Sequence, residues 1–165
     1  MAQRSAQVIG ELAAAFEGVT FSVFEPRSGP GQHVAEVSRE QLIAFVTAAR
    51  ELGFRMFVDL CGVDYLRRDP RFEVVITLLS LEAPARLRIR VPVPGSDPSV
   101  PSITSVYAGA NFYERETYDL FGIDFHGHPD LSRVLLPDDW EGHPLRKDYG
   151  VGSVPVQFKG AHKAT

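Results

Sequence analysis

Cysteine is almost absent from this sequence. Cys61 is the only cysteine among 165 residues, so the chain forms no internal disulfide and supplies no four-cysteine zinc or iron–sulfur site of its own. No stretch reaches the roughly 18 consecutive apolar residues that a membrane-spanning helix requires. Positive charge is not in excess either, and the net charge of -4 gives no general attraction to nucleic acid. These absences exclude a disulfide-stapled fold, a membrane span and a nucleic-acid-coating protein.

The first residues do not have the pattern of an export signal. Residues 1–18 lack a continuous apolar core and contain Glu11, which is typical of an amphipathic helix and not of a secretory signal. Apolar residues make up 44% of the chain, an ordinary content for a globular protein. We therefore expect a cytoplasmic chain of one domain, with room for an extension.

The periodicity of the first 122 residues predicts an α+β fold. Helical spacing of apolar residues predicts helices at 5–17, 42–52 and about 111–121, with a short helix at 102–107. Strand-like segments lie at 19–24, 33–37, 54–60, 72–81 and 85–93, and residues 95–101 form a proline-rich connection. This order predicts a two-layer sandwich, in which helices pack on a mixed, largely antiparallel sheet.

The segment 85–93 alternates most regularly. Its apolar residues point to one face, and Arg86, Arg88 and Arg90 point to the other. A strand face with three arginines is either solvated or meets an acidic partner. Cys61, at an apolar strand end, is predicted to be an inert buried thiol.

After Gly122 both kinds of periodicity end. Residues 123–165 are rich in charge, proline and glycine, yet they contain large apolar side chains. A structureless stretch of this length is unusual inside a compact domain. We therefore predict an α+β domain at 1–122 and an extended partner-binding arm at 123–165, ordered by contact with another protein.

Charged residues cluster on the predicted helix before the arm. Glu114, Arg115, Glu116 and Asp119 fall within two helical turns, and Arg115 and Asp119 are spaced as an i,i+4 pair. Two carboxylates so placed could act as general acid and base, or they could form a solvated face. The neighbouring residues are largely aromatic, which favours an inter-subunit network of ion pairs and hydrogen bonds.

A second cluster suggests a metal site. His126, His128 and Asp130 follow the pattern H-x-H-x-D, which opens the zinc site of metallo-β-lactamase-like hydrolases. Leu131 stands where that family has a further histidine, and the distant ligands are missing. The other interpretation is that His128 hydrogen-bonds backbone in a tight turn. A stand-alone metal-dependent hydrolase is therefore the alternative function.

Several segments together resemble one family. They are ERE at 114–116, YDLFGI at 118–123, GHPDL at 127–131 and LPDDWEGHPLRKDY at 136–149, with MFVDLCGVDY at 56–65. Their order and spacing resemble the C subunit, also called the 30 kDa-type subunit, of proton-pumping NADH:quinone oxidoreductase, respiratory complex I. Phe112 departs from the pattern, since many relatives carry tryptophan there. Cousins in chloroplast and cyanobacterial complexes and in membrane-bound hydrogenases share the pattern.

The resemblance implies a scaffold subunit of the peripheral arm. Such a subunit packs against the neighbouring D subunit near the quinone site and supports electron transfer from NADH to quinone coupled to proton translocation. It carries no redox centre or other cofactor, because FMN and the iron–sulfur clusters belong to other subunits, and the isolated chain is not expected to be active. It binds no nucleic acid and lies peripherally on the cytoplasmic face of the bacterial inner membrane.

Twelve residues are predicted to form the partner interface. The single tryptophan and the arginines of the arm are of the types that most often anchor interfaces. The set comprises Phe112, Glu114, Arg115, Glu116, Asp119, His128, Arg133, Trp140, His143, Arg146, Lys147 and Asp148.

Overall fold

Three helices and seven strands make up the described part of the chain. The computed structural model describes residues 2–24 and 32–150. The helices are α1 (Ala2–Ala15), α2 (Leu42–Glu51) and α3 (Asn111–Phe121), and a short 3-10 helix (Ala108–Ala110) precedes α3. The strands are β1 (Thr20–Phe24), β2 (Gln32–Glu36), β3 (Met56–Asp64), β4 (Phe72–Ser80), β5 (Ala85–Val93), β6 (Ser99–Pro101) and β7 (Asp124–His126).

Five of the strands form one sheet in the order β1-β2-β5-β4-β3. The pairs β1–β2, β5–β4 and β4–β3 are antiparallel, and β2–β5 is parallel. This confirms the predicted α+β fold with a mixed, largely antiparallel sheet.

The core lies between this sheet and the helices. The apolar face of β5 and the matching face of β4 share one buried cluster with Leu12 of α1 and with Leu42 and Phe45 of α2. The rings of Phe16 and Phe45 meet edge to face at 5.1 Å and extend the cluster. The alternation of β5 thus directs its leucine, isoleucine and valine side chains toward the helices and its arginines away from them.

Helix α3 packs directly on the edge strand β3. An added Cβ at Gly62 would lie 2.8 Å from the Phe121 ring and 3.0 Å from the Thr117 methyl group. No side chain fits there, so this glycine sets the distance between helix and strand. At the other end of the contact, the rings of Phe57 and Tyr113 meet at 5.3 Å.

Four local predictions need correction. Strand β3 begins at Met56 and not at residue 54, because the Phe54 N–H still donates to Ala49 O at the end of α2. Residues 102–107 form a turn and not a short helix. The connection at 95–101 contains β6, which pairs in parallel with β7. The distant partner strand β7 orders this segment, so local periodicity gave no sign of it. Helix α1 spans Ala2–Ala15 instead of 5–17.

Among the residues that the structure describes, the helices all fall short of the length and hydropathy that crossing a bilayer demands.

The close approach at Gly62 gives a first prediction. We expect Gly62→Val to lower the free energy of unfolding by about 1–3 kcal/mol, because the new methyl groups must displace Phe121 and Thr117 from a packed contact. Urea denaturation of the purified chain measures the change.

The control is Gly10→Ala in α1. A Cβ at Gly10 meets nothing within 4 Å, so alanine should stabilise the helix by up to about 1 kcal/mol. If Gly62→Val left the chain as stable as the unchanged protein, the packing described for α3 on β3 would be wrong.

Candidate functional site

The C-terminal end of α3 organises the candidate site. A helix leaves its last carbonyls without partners inside the helix, and here the arm supplies donors. His143 Nδ1 lies 2.9 Å from Asp119 O, and the Leu145 N–H donates to Leu120 O at 3.1 Å. Arg146 donates to Phe121 O through Nε and to Gly122 O through Nη2. Residues 143–146 therefore cap α3.

Gly122 makes this capping possible. Its φ of 65° lies in the left-handed region, which glycine adopts without strain. A Cβ at this position would lie 2.5 Å from the His143 ring and 2.7 Å from the Arg146 guanidinium. Both the backbone conformation and the close approach of the arm therefore require glycine.

The carboxylate of Asp119 holds a second part of the arm. It is fully buried, and its Oδ2 accepts three backbone N–H groups, from Val134 (3.1 Å), Leu135 (2.9 Å) and Leu136 (3.0 Å). Oδ1 accepts a hydrogen bond from Arg133 at 2.6 Å. Burial raises the pKa of Asp119, but these hydrogen bonds outweigh burial and hold the pKa below its usual value.

Arg115 does not form the predicted i,i+4 pair with Asp119. Instead it donates to Ser132 O at 3.1 Å and to Ser132 Oγ at 2.8 Å, and its guanidinium lies over the Phe112 ring. Arg133, from the arm, takes the place beside Asp119. The backbone donors of residues 134–136 also converge on Asp119, and Arg115 binds Ser132, which precedes them in the arm.

The end of the arm is attached at β3. Asp64 is almost fully buried, and its carboxylate forms a bidentate ion pair with Arg71 at 3.0 and 2.8 Å. It also accepts a hydrogen bond from the Lys147 N–H at 2.9 Å. The same guanidinium binds Asp148 at 2.9 and 2.7 Å. The hydrogen bond from Arg71 holds the pKa of Asp64 well below its usual range. Arg71 thus joins the sheet to the arm.

The prediction that another protein orders the arm at 123–165 remains a prediction, but part of the arm also binds its own chain. In the described part, residues 123–150, the arm follows the surface of its own domain and is held by α3 and by the ends of β3 and β4. These contacts join residues 14 to 83 positions apart, which no local pattern reveals. Residues 151–165 lie outside the described residues.

Glu114 and His128 meet in a closed space beside α3. Both side chains are fully buried, with His128 Nε2 at 4.0 Å from Glu114 Oε2. Oε1 accepts the Ile103 N–H at 2.8 Å, and Oε2 has no hydrogen-bond partner. Burial raises the pKa of Glu114 to about 7, and the nearby Ser102 hydroxyl and the Ile103 N–H only partly oppose it. A large share of Glu114 is therefore the neutral acid at neutral pH.

The geometry of His128 argues against the metal hypothesis. The Asp130 N–H donates to Nδ1 at 3.0 Å, so Nε2 carries the proton and donates to Asn111 O at 3.2 Å. Neither nitrogen keeps a free lone pair for a metal. His126 is exposed and lies near Asp124 instead. Within residues 2–24 and 32–150, groups of three or more potential ligands in a metal-binding arrangement are absent. The backbone-binding interpretation of His128 is the one that the structure supports.

The predicted interface residues thus fall into two classes. Glu114, Asp119 and the ring of His128 are buried within the chain, and its other groups are bound by Arg115, Arg133, His143, Arg146 and Asp148. Phe112, Glu116 and Lys147 have more accessible side chains, and Trp140 is partly buried with an Nε1 that has no partner. Sequence reasoning missed Asp64 and Arg71. Asp64 lies in the segment 56–65 that carries the resemblance, whereas Arg71 had no signal beyond a polar turn.

The carboxylate of Asp119 gives a second prediction. We expect Asp119→Asn to destabilise the chain by roughly 3–5 kcal/mol, because the amide removes the counter-charge of Arg133 and turns an N–H toward other donors. Hydrogen exchange at the amides of residues 134–136 should accelerate. Glu116→Gln is the matched control on the same helix, since the structure shows no hydrogen bond or ion pair for Glu116 among the described residues. Slow exchange at 134–136 in Asp119→Asn would contradict the proposed attachment.

Glu114 gives a prediction about pH. Its folded pKa of about 7 lies above the ordinary value of 4.5, so its stabilising contribution is complete below the unfolded pKa and is lost as pH rises through about 7. The loss amounts to roughly 3 kcal/mol if each pKa unit is worth about 1.4 kcal/mol. Glu114→Gln cannot ionise and should remove this pH dependence.

Urea denaturation of both proteins at about pH 5 and about pH 8 tests this. The difference between the two proteins is the readout, because His143 adds its own slope: burial lowers the pKa of His143 and makes the chain more stable as pH rises. Asp64 and Asp119 titrate below this window. The same slope in both proteins would show that Glu114 is already ionised near pH 5.

Known proteins resemble this chain over most of its length. The family described as respiratory-chain NADH dehydrogenase, 30 Kd subunit, matches residues 35–154. The NADH-quinone oxidoreductase C subunit of Roseiflexus sp. (strain RS-1) is 45% identical over 158 residues, which cover 96% of this chain and 91% of the relative. The protein of the same name from Herpetosiphon aurantiacus is 50% identical over 125 residues, covering 74% of this chain and 73% of the relative.

Two solved structures share the fold. The trypsin-resistant fragment (1-134) of Nqo5 superposes with a TM-score of 0.65 at 36% identity and covers 78% of this chain and 99% of that one. A chain of the membrane-bound sulfane sulfur reductase, an archaeal respiratory membrane complex, reaches a TM-score of 0.76 over 88% of this chain and 85% of its own length. At 21% identity the latter shows the fold alone. The matched residues 35–154 include β3 to β5, α3 and the described arm, and the chain belongs to the family of the 30 kDa subunit of respiratory-chain NADH dehydrogenase.

Proposed function

We propose that this chain is a scaffold subunit in the peripheral arm of NADH:quinone oxidoreductase, packed against the D subunit near the quinone site. In this role it supports electron transfer from NADH to quinone coupled to proton translocation and catalyses no step itself. The observation that carries the proposal is the similarity to proteins named as the C subunit of that enzyme, which extends along 96% of the chain.

The surface of α3 and the arm supports a role in assembly. Phe112 at the start of α3 is 66% exposed, and Leu135 and Leu145 of the arm are 60% and 50% exposed. Large apolar side chains gathered on one structural unit mark interaction sites more often than isolated ones do. The carboxylate of Asp119 and the capping of α3 fix the backbone that carries these side chains, so the surface is held ready for a partner.

The proposal assigns no redox centre to this chain. One cysteine does not supply the four cysteine ligands of an iron–sulfur cluster, and no flavin or haem is expected in the pure chain. FMN and the iron–sulfur clusters of the assembled enzyme would belong to other subunits. We place the chain peripherally on the cytoplasmic face of the bacterial inner membrane, attached through other subunits of the complex and not through lipid.

Copurification tests the proposal. Membranes from cells that carry an affinity-tagged copy of the chain are solubilised in mild detergent, and the tagged chain is recovered. We expect the other subunits of NADH:quinone oxidoreductase, the D subunit among them, in equal amounts with the tagged chain, together with NADH:quinone activity. Recovery of the tagged chain alone would overturn the proposed function.

Phe112 gives a prediction about assembly. We expect Phe112→Glu to reduce the amount of intact complex and the NADH:quinone activity of membranes by roughly tenfold or more, as loss of an interface anchor does. The melting temperature of the isolated chain should stay nearly unchanged, because the ring is mostly exposed.

Val23→Glu is the matched control. Val23 is 56% exposed on β1, at the edge of the sheet opposite to the β3 edge on which α3 packs. This variant should assemble normally. If both variants assembled the same amount of intact complex, the face of α3 that carries Phe112 would not be part of the interface.

A further inference from the structure

The second face of the five-stranded sheet is not covered by any of the described helices. The cross-strand register defines this outer face, which carries the side chains opposite to the core. Its central residues are Val34 and Glu36 of β2, Arg86, Arg88 and Arg90 of β5, Glu73, Val75, Thr77 and Leu79 of β4, and Met56, Asp59, Cys61 and Val63 of β3.

One half of the outer face satisfies its own charges. Arg90 binds the buried Glu73 carboxylate at 2.9 and 2.6 Å and lies 3.7 Å from Glu36. Arg68 and the Tyr65 hydroxyl also reach Glu73. These groups neutralise each other and need no further partner.

The other half carries two further arginines. Arg86 and Arg88 are exposed, and in the part of the chain that the structure describes neither forms an ion pair. They are two residues apart on one strand, so their side chains emerge about 7 Å apart on the same face. Asp59, the remaining carboxylate of this face, lies two strands away from Arg88.

The surroundings of these arginines are unusually apolar for a solvated face. Leu79 is the cross-strand neighbour of Arg86, and Met56, the next residue across the sheet, is 46% exposed. Exposed apolar area beside exposed arginines is the composition of an interface, in which arginine is enriched. Cys61 lies on the same face and is exposed, which corrects the prediction that it is buried.

We propose that the outer face docks an acidic, extended segment of a neighbouring subunit, whose carboxylates pair with Arg86 and Arg88. Guanidinium groups bind carboxylates through two parallel hydrogen bonds. Carboxylates at alternate positions of an extended segment match the spacing of the two arginines, and Asp59 and Glu36 repel carboxylates placed to either side. The inference rests on the proposed function, since it takes the chain to be part of a larger complex.

Cys61 reports directly on this face. It is the single cysteine of the chain. Its modification by a maleimide can therefore be followed by mass spectrometry of the peptide that contains it, both in the assembled complex and in the isolated chain. Burial raises the pKa of the thiol, so labelling is done under mildly alkaline conditions. We expect labelling to be about tenfold or more slower in the complex, because access controls thiol reactivity. The control is a Thr47→Cys variant, whose new thiol lies on the exposed side of α2 and measures labelling away from the outer face.

A charge reversal tests the acidic partner. Arg88→Glu should lower the complex recovered with the tagged chain by about tenfold or more, whereas Arg88→Lys should retain most of it. Arg55→Glu is the control, because Arg55 is exposed outside the outer face and forms only a surface pair with Glu82. All three variants should melt like the unchanged chain.

The outcomes separate this inference from the proposed function. If the unchanged chain copurifies with the complex and Cys61 reacts equally fast in both states, the outer face is solvated and the inference fails while the proposed function stands. Protected Cys61 with normal assembly of Arg88→Glu would overturn the inference by showing a partner that is not acidic. Recovery of the unchanged chain without other subunits would contradict both the inference and the proposed function.

Discussion

The C-terminal end of α3 is the constraint on which the rest of the structure depends, because its last carbonyls have no hydrogen-bond donors within the helix. Its last carbonyls, and the carboxylate of Asp119 within its last turn, need donors that neither the sheet nor the helix can supply. The arm supplies them, and in doing so it acquires a fixed path without regular secondary structure. Buried polar groups, and not an apolar core, therefore determine where residues 132–146 lie.

Short-range patterns predicted the sheet and the helices well. The alternation of β5 and the glycine that ends α3 are both signals within a few residues, and the structure shows both. The pairing of β6 with β7 and the attachment of the arm were missed, because each depends on groups far apart in sequence. The charged residues of α3 were found, but the i,i+4 pairing of Arg115 with Asp119 was wrong: Arg133 could not be recognised as the counter-ion of Asp119 from spacing alone.

The molecule presents two different surfaces on its two sides. Helix α3 and the arm carry exposed apolar side chains on a backbone fixed by buried hydrogen bonds, and the outer face of the sheet carries exposed guanidinium groups. The first kind of surface gains most from excluding water, and the second from meeting opposite charge. A protein with both can distinguish its neighbours by chemistry as well as by shape.

The capping of α3 by residues 143–146 also orders events during synthesis. A ribosome releases α3 well before it releases His143 and Arg146, which lie more than twenty residues further along the chain. Until then the last turn of the helix lacks these donors, and Asp119 lacks its counter-charge until Arg133 has been made. The capping of helix α3 is therefore completed late, well after the synthesis of β3, on which the helix packs at Gly62.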